Sequence, residues 1–228
     1  MRNKKRLTSL LTWFRYRWSY FRERPEFRFR GLQLFVADGV LNPTLFTASK
    51  VFAKQIGTWL PEEPCDVLEL GCGCGIASLV AAGRGHRVCA VDVDPHAIAN
   101  TLENARRNGL DLEVVVSDWD AALAPERRFD RVICNPPFLP GDQAAFQRAL
   151  QAGPGETALV AAVRAMLYRL KPNGRGLLMT SSQTPRAHWR NVLDMDSAFE
   201  SRTLSKVRHW QERLIFDELF GAEPPSGD

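Results

Sequence analysis

The chain has 228 residues, of which 45% are apolar and 25% charged, with a formal net charge of +4. That is the make-up of a globular protein long enough for one packed domain plus an extension. No run of about 18 apolar residues occurs, so no membrane span is expected. The charge is unevenly placed. Residues 1–30 hold Arg2, Lys4, Lys5, Arg6, Arg15, Arg17, Arg22, Arg24, Arg28 and Arg30 against Glu23 and Glu26, which leaves the rest of the chain mildly acidic. Five cysteines (Cys65, Cys72, Cys74, Cys89, Cys134) with no repeated Cys-x-x-Cys pairs argue against a disulfide framework or a zinc site, and a reducing, cytoplasmic setting is expected.

The basic arm, residues 1–30, is also aromatic, with Trp13, Phe14, Tyr16, Trp18, Tyr20, Phe21, Phe27 and Phe29. Leu7, Leu10, Leu11, Phe14, Trp18 and Phe21 share one side of a helix. Three roles fit this pattern: contact with RNA or the ribosome, with arginines on phosphates and rings on bases; a basic amphipathic helix on a membrane surface; or a helix packed on the domain with a solvated basic face. A mitochondrial presequence is a further reading, since no acid precedes Glu23. Residues 31–64 form a flanking segment, with a short strand or hairpin arm over Gly31–Ala37 and a helix over Thr44–Leu60. The core is expected over residues 65–220. Its strands are Val67–Leu70, Arg87–Asp92, Leu112–Ser117, Phe129–Cys134 and Gly176–Thr180. Its helices are Ile76–Gly83, one opening at Pro95 and stopping before Gly109, Thr157–Leu170, and Arg186–Asp194. Phe199–Leu204 and Glu212–Leu219 read as a closing pair of strands, and residues 221–228 as a polar tail. Strands and helices that alternate with short links imply a mainly parallel sheet covered on both faces.

The stretch Glu69-Leu70-Gly71-Cys72-Gly73-Cys74-Gly75 joins the first core strand to its helix. Strand, glycine turn and helix is how an open α/β sheet holds a nucleotide-like ligand. Gly71, Gly73 and Gly75 permit positive φ and close approach to bare backbone, and the helix start near Ile76 points N–H groups at a ligand carboxylate. The spacing is not the Gly-x-Gly-x-x-Gly of dinucleotide enzymes, which argues against a nicotinamide oxidoreductase. Asp92, ending the second strand, is placed to accept from both ribose hydroxyls, whereas Asp94 suits an N-cap of the helix at Pro95. After the third strand, Asp118 is placed to accept an adenine amino group and Trp119 to cover the ring; a turn with a half-buried Trp is the alternative. The most specific motif is Asn135-Pro136-Pro137-Phe138. Two prolines stiffen the backbone. The Asn135 amide oxygen and the Pro136 carbonyl can then both accept from one planar NH₂ group, with Phe138 as a face beside it. Such a nitrogen is a poor nucleophile. Two acceptors raise its electron density and aim it, and proximity supplies much of the rate without a strong base.

These residues carry a resemblance. Glu-x-Gly-x-Gly-x-Gly is similar to the first motif of class I S-adenosylmethionine (SAM) methyltransferases, and Asn135–Phe138 looks like the Asn-Pro-Pro-Tyr/Phe loop of those that methylate planar nitrogens. Over about Gly39 to Leu219 the chain resembles the HemK/PrmC-type enzymes that methylate a glutamine amide in translation release factors, and the small-domain rRNA methyltransferases. The resemblance implies a Rossmann-like α/β fold: a mainly parallel seven-stranded sheet, helices on both faces, and a closing antiparallel hairpin. It implies SAM as cofactor, held by Glu69, Gly71, Gly73, Gly75, Asp92, Asp118 and Trp119, and a catalytic set of Asn135, Pro136 and Phe138. Val40-Leu41-Asn42-Pro43 and Thr47 look like the HemK segment Val-Leu-x-Pro-Arg-x-x-Thr-Glu, which adds Thr47 to the cofactor set. The chain departs from that pattern at Thr44, which stands for Arg, at Ala48, which stands for Glu, and at Phe138, which stands for Tyr and is similar to the rRNA guanine-amino enzymes. The basic aromatic arm stands where bacterial HemK enzymes carry a helical substrate domain. The implied activity is N-methylation of a planar amide or amino nitrogen, first a protein glutamine, with an RNA base or a small-molecule amine as alternatives. The loop over 139–155 is expected to line the acceptor pocket. A non-catalytic reading, an RNA- or membrane-docking module on an inactive core, is the competing class.

Overall fold

The structure, a computed structural model, describes residues 26–136, 157–182, 184, 186–194, 198–209 and 212–221. Within them, β1 (Glu26–Phe29) and β2 (Leu32–Phe35) form an antiparallel hairpin, followed by α1 (Ala48–Trp59), β3 (Asp66–Leu70), α2 (Ile76–Ala82), β4 (Arg87–Asp92), α3 (Pro95–Arg107), β5 (Glu113–Val116), β6 (Phe129–Cys134), α4 (Thr157–Arg169), β7 (Leu170–Ser181), α5 (Arg186–Asp194), β8 (Phe199–His209) and β9 (Glu212–Gly221). The main sheet has seven strands in the order β5-β4-β3-β6-β7-β9-β8. β3 to β7 are mutually parallel, and β9 runs antiparallel to both β7 and β8. The order reverses between β3 and β6, which opens a crevice outside the carboxyl ends of the strands.

Alternation along the strands splits the core into two layers. Val67, Val88, Ile133, Leu177, Met179 and Phe216 pack with α1, α2 and α3. Leu68, Leu70, Val91, Val132, Cys134 and Leu178 pack with α4 and α5, where Trp189 is fully buried. Phe52 and Ile56 turn the apolar side of α1 into the first layer, and each contributes roughly 2–3 kcal/mol by leaving water. Asp94 caps α3 by accepting from the His96 N–H, with Pro95 in the first turn. Gly109 follows the Asn108 C-cap at φ 62°, as its place in the sequence predicts.

Several bounds differ from the sequence expectation. The hairpin starts at Glu26, inside the stretch assigned to the arm, and turns at Arg30 and Gly31, both of positive φ. The helix expected from Thr44 starts at Ala48. The Asn42 side chain accepts from the Thr44 N–H and hydroxyl, and the Asn42 carbonyl accepts from Leu45 and Phe46, so residues 42–46 close as a separate turn. β7 begins directly after α4, at Leu170, with an irregular stretch before it resumes parallel pairing at Arg175. β8 runs on past Leu204 to His209, while β9 starts at Glu212 as expected and extends to Gly221. Residues 1–25, the 139–155 loop and the tail beyond Gly221 lie outside the described residues.

Candidate active site

Val91, Leu70, Cys134 and Leu178 are hydrogen-bonded neighbours across four strands. The next residues along three of those strands are Asp92, Gly71 and Asn135. They leave the sheet side by side, about 5 Å apart. Asp92, the glycine loop and Asn135 therefore border the same crevice.

The glycine loop is fixed by its neighbours. Gly71, Gly73 and Gly75 all have positive φ, at 76°, 56° and 80°. Gly75 has a second requirement: a Cβ there would sit 2.7 Å from the Thr101 side chain. The Gly71 and Cys72 N–H groups donate to the Val91 carbonyl at 2.9 and 3.0 Å. From α3, the Thr101 hydroxyl donates to the Gly73 carbonyl at 3.0 Å and the Asn104 amide to the Cys74 carbonyl at 2.8 Å. Asn104 is one of three asparagines, one turn apart, on the side of α3 that faces β2. Asn100, Asn104 and Asn108 accept from the N–H of Ala37, Phe35 and Gln33. Their amides return donors to the carbonyls of Phe35 (from both Asn100 and Asn104) and Gln33. This ladder ties the amino-terminal hairpin to the helix that braces the loop. It escaped the sequence reading, although Asn at every fourth position of a helix is an unusual choice that signals tertiary partners.

Two carboxylates flank the loop. Glu69 is buried and accepts from both the N–H and the hydroxyl of Ser78, so the first turn of α2 addresses Glu69 as well as the crevice. Burial, offset by the Ser78 bonds and aided by the negative charge of Asp92, pushes its carboxyl up to about 8. Asp92 accepts from Gly73 N–H at 2.9 Å and from Asp94 N–H at 3.0 Å. Burial raises its carboxyl too, against those two backbone donors. Among the described residues neither acid forms an ion pair with a Lys or Arg. The thiols beside them are held protonated by burial, Cys74 at about 12 and Cys72 well above its ordinary value.

Beyond β5, the Ser117 N–H donates to the Asp92 carbonyl at 2.9 Å, and its hydroxyl accepts from Ala122 N–H at 3.0 Å. Asp118 is exposed, while Trp119 is half-buried against the second core layer at φ 51°. A bulky residue in the left-handed region needs its surroundings to hold it there. Arg169, at the end of α4, fixes the segment that follows Trp119. Its guanidinium is buried, 2.7 Å from the Asp120 carboxylate, and donates to the carbonyls of Asp120, Leu123, Ala124 and Arg127. Sequence reasoning did not find Arg169, since a cation in the last turn of a helix is ordinary there.

Asn135 is half-buried and Pro136 buried, and among the described residues no hydrogen bond engages the Asn135 side chain. Phe138 and Pro137 lie outside the described residues. Thr47 is placed elsewhere than its sequence neighbours suggest: its hydroxyl is 2.6 Å from Nε2 of His209, at the end of β8. His209 Nδ1 is 3.7 Å from Glu212, whose other oxygen accepts from the Ser181 hydroxyl. The chain of Thr47, His209, Glu212 and Ser181 lies at the carboxyl end of β7, which Ser181 closes.

The family model described as "Methyltransferase small domain" matches residues 43–201. The release factor glutamine methyltransferase of Escherichia coli is 34% identical over 137 residues, covering 59% of this chain and 48% of that protein. The ribosomal RNA small subunit methyltransferase C of Chromohalobacter salexigens is 34% identical over 123 residues, covering 54% of this chain and 33% of that protein. The chain thus spans half or less of the length of these curated relatives. A solved T. thermophilus 16S rRNA N2 methyltransferase, in complex with AdoMet and guanosine, superposes with a TM-score of 0.58 at 24% identity, covering 85% of this chain and 49% of that one. The fold is that of the class I methyltransferases, as the glycine spacing and strand order lead one to expect.

Proposed function

Because the chain belongs to the methyltransferase small domain family, we propose that it is a SAM-dependent N-methyltransferase acting on a planar amide or amino nitrogen. The observation that carries this reading is a pair of carboxyl groups, buried Glu69 and half-buried Asp92, with no Lys or Arg paired to either among the described residues, one and two strands from Asn135, whose amide makes no hydrogen bond to a described residue. Burial and mutual repulsion disfavour the ionised form of these two acids, and a cationic ligand would offset that cost. The cofactor fits: it is a cation at sulfur and at its amino group, and it supplies an electrophilic methyl carbon. Glu69 and the backbone of Gly71, Gly73 and Gly75 hold the amino-acid end. Asp92 keeps lone pairs for the ribose hydroxyls after accepting its two backbone donors. Asp118 takes the adenine amino group and Trp119 covers the ring. Thr47 acts from the rim through His209.

Asn135 and the Pro136 carbonyl then accept the two hydrogens of the acceptor NH₂, with Phe138 beside its plane. This aligns the nitrogen lone pair with the methyl carbon. No titratable group of the motif is needed: the methyl–sulfur bond would break as the N–C bond forms, leaving a neutral thioether, and the proton would then leave to solvent. A protein glutamine amide is the first acceptor reading, supported by the release factor relatives. An exocyclic amino group of an RNA base is the second, supported by the ribosomal RNA methyltransferase relative. The test is transfer of labelled methyl from SAM into a lysate, separated into protein, RNA and small-molecule fractions, with Asn135→Ala as control. Label that depends on Asn135 supports the reading, and its fraction identifies the acceptor. No SAM binding, or label unaffected by Asn135→Ala, overturns it.

A further inference from the structure

On the side of the sheet covered by α4 and α5, the surface folds into a cleft of about 480 Å³. Leu167 and Leu170, both buried, line it together with half-buried Val192 of α5 and Phe199 of β8. Three polar side chains complete the lining: Arg128, just before β6, and Arg164 and Tyr168, one turn apart on α4. The sheet separates this cleft from the crevice of the candidate active site. Leu170 pairs with Phe129, the first residue of β6, and Phe199 is the first residue of β8. β8 runs the same way as β7, since each is antiparallel to β9. The cleft thus lies at the amino ends of the parallel strands. The length of β6, six residues or about 17 Å, stands between it and the crevice.

The polar groups of the cleft are spent unevenly. The Tyr168 hydroxyl donates to the Pro125 carbonyl at 3.0 Å. Nη1 of Arg128 donates to the carbonyls of Pro125 and Arg127 at 2.6 and 3.1 Å, and its guanidinium lies 4.2 Å from the centre of the Tyr168 ring. These contacts fix Arg128, while its Nε and Nη2 make no hydrogen bond among the described residues. Arg164 is exposed and makes neither a hydrogen bond nor an ion pair among the described residues. Two neighbouring arginines do meet acids: Arg169 takes Asp120 and Arg127 takes Glu113. No Asp or Glu is among the described residues that line the cleft. Glu200, next to Phe199, belongs to the opposite face of β8 by alternation.

We propose that this cleft binds a small organic carboxylate, with its apolar body on Leu167, Leu170, Val192 and Phe199 and its carboxylate on Arg128 and Arg164. The free polar groups select the head group. A guanidinium donates and never accepts, so the polar end of the ligand is an acceptor, and the planar fork of Arg matches the two oxygens of a carboxylate. The cleft selects the size. Its volume falls within the range of roughly 300–1,000 Å³ found for small-molecule sites, which are likewise lined by apolar and aromatic side chains with a few polar groups. Tyr168 and two backbone carbonyls hold Arg128 before any ligand arrives, which lowers the ordering cost of binding. The cleft takes no part in methyl transfer, so it and the proposed activity stand or fall separately.

The test uses the full chain and three probes read by isothermal calorimetry: 2-naphthoate, the uncharged 2-naphthamide of the same shape, and inorganic phosphate. 2-Naphthoate saturates one site and binds about tenfold or more tightly than either of the others, since the amide lacks the charge and phosphate lacks the apolar body. Arg164→Gln weakens 2-naphthoate about tenfold, the worth of one charge-assisted hydrogen bond, and leaves 2-naphthamide within about twofold. Phe199→Ala weakens both aromatic probes. Should Phe199→Ala fail to fold, Arg164→Gln decides alone, because it alters an exposed side chain with no partner among the described residues. Equal affinity for acid and amide overturns the proposal, as does phosphate binding as tightly as 2-naphthoate. Unchanged 2-naphthoate affinity in Arg164→Gln overturns it too, by placing the probe elsewhere, the crevice included. Absence of saturable 2-naphthoate binding does the same. SAM binding is read on every sample: it is unchanged in Arg164→Gln, and its absence in the wild type would overturn the enzymatic reading and leave this one standing.

Discussion

Replacing Asp92 by Ala tests the cofactor site most directly. The carboxylate accepts from Gly73 N–H and Asp94 N–H at 2.9 and 3.0 Å, and the remaining lone pairs are assigned to the ribose hydroxyls. Hydrogen bonds to a charged acceptor contribute about 1.5–3 kcal/mol each. Two ribose bonds therefore represent roughly 3–6 kcal/mol, or about 10²–10⁴ in the dissociation constant. The same substitution frees the Gly73 and Asp94 N–H groups, which loosens the glycine loop and lowers affinity for any ligand lying on it. The two effects separate in a double cycle. Isothermal calorimetry of wild type and Asp92→Ala is carried out with SAM and with an analogue lacking both ribose hydroxyls. If Asp92 touches the ribose, deleting the hydroxyls weakens wild-type binding strongly and the variant little. Equal losses in both proteins reduce Asp92 to a brace for the loop. A SAM dissociation constant within threefold of wild type in Asp92→Ala would remove Asp92 from the site.

Three further outcomes follow from the same geometry. Asn135→Ala abolishes turnover while SAM affinity stays within a few-fold, and turnover near wild type would sink the role given to the motif. Glu69 has its carboxyl raised from 4.5 to about 8, so the folded state binds more protons than the unfolded chain across that window, and stability falls as pH rises from about 4.5 to about 8. In Glu69→Gln, which keeps an acceptor for Ser78, urea unfolding shows this decline flattened by at most about 1.4 kcal/mol per pH unit, and an unchanged slope refutes the assignment. Asn104→Ala strips the partners of the Phe35 N–H and the Cys74 carbonyl, while Asn100 still donates to the Phe35 carbonyl, costing about 2–6 kcal/mol at 1–3 kcal/mol for each buried group left unpaired. A loss under 1 kcal/mol by urea melt would mean that water replaces the amide.

β4, β6 and α5 have the bounds read from the sequence, because apolar runs closed by polar residues or turns mark strands buried on both faces. The Asp94 cap and the Gly109 stop were legible because both are local chemistry. What could not be read was built by distant partners. The hairpin start at Glu26 is hidden in a run where Phe27 and Phe29 alternate with arginines already assigned to a basic arm. The outer half of β8 carries polar residues such as Ser205, Lys206 and Arg208, paired with β9, and backbone pairing leaves no mark in hydropathy. In the site, the glycine loop, Asp92 and Asn135 meet where the strand order places them. The bond between Thr47 and His209 joins residues at opposite ends of the chain, and the bracing by Thr101, Asn104 and Arg169 depends on how α3 and α4 sit on the sheet.

The asparagine ladder works as a vernier. Its rungs on α3 advance four residues, about 6.0 Å, while those on the strand side advance two, about 6.8 Å. The mismatch is slight for one rung and accumulates along the ladder, whose three rungs at Asn100, Asn104 and Asn108 still close at 2.9, 2.7 and 2.8 Å. Within that length it accepts only one alignment. Inserting a single residue into α3 would swing every later rung by about 100° around the helix axis, whereas lengthening the turn at Arg30 and Gly31 would leave the rungs untouched. Length variation among natural versions of this chain should therefore gather at the hairpin tip and spare α3.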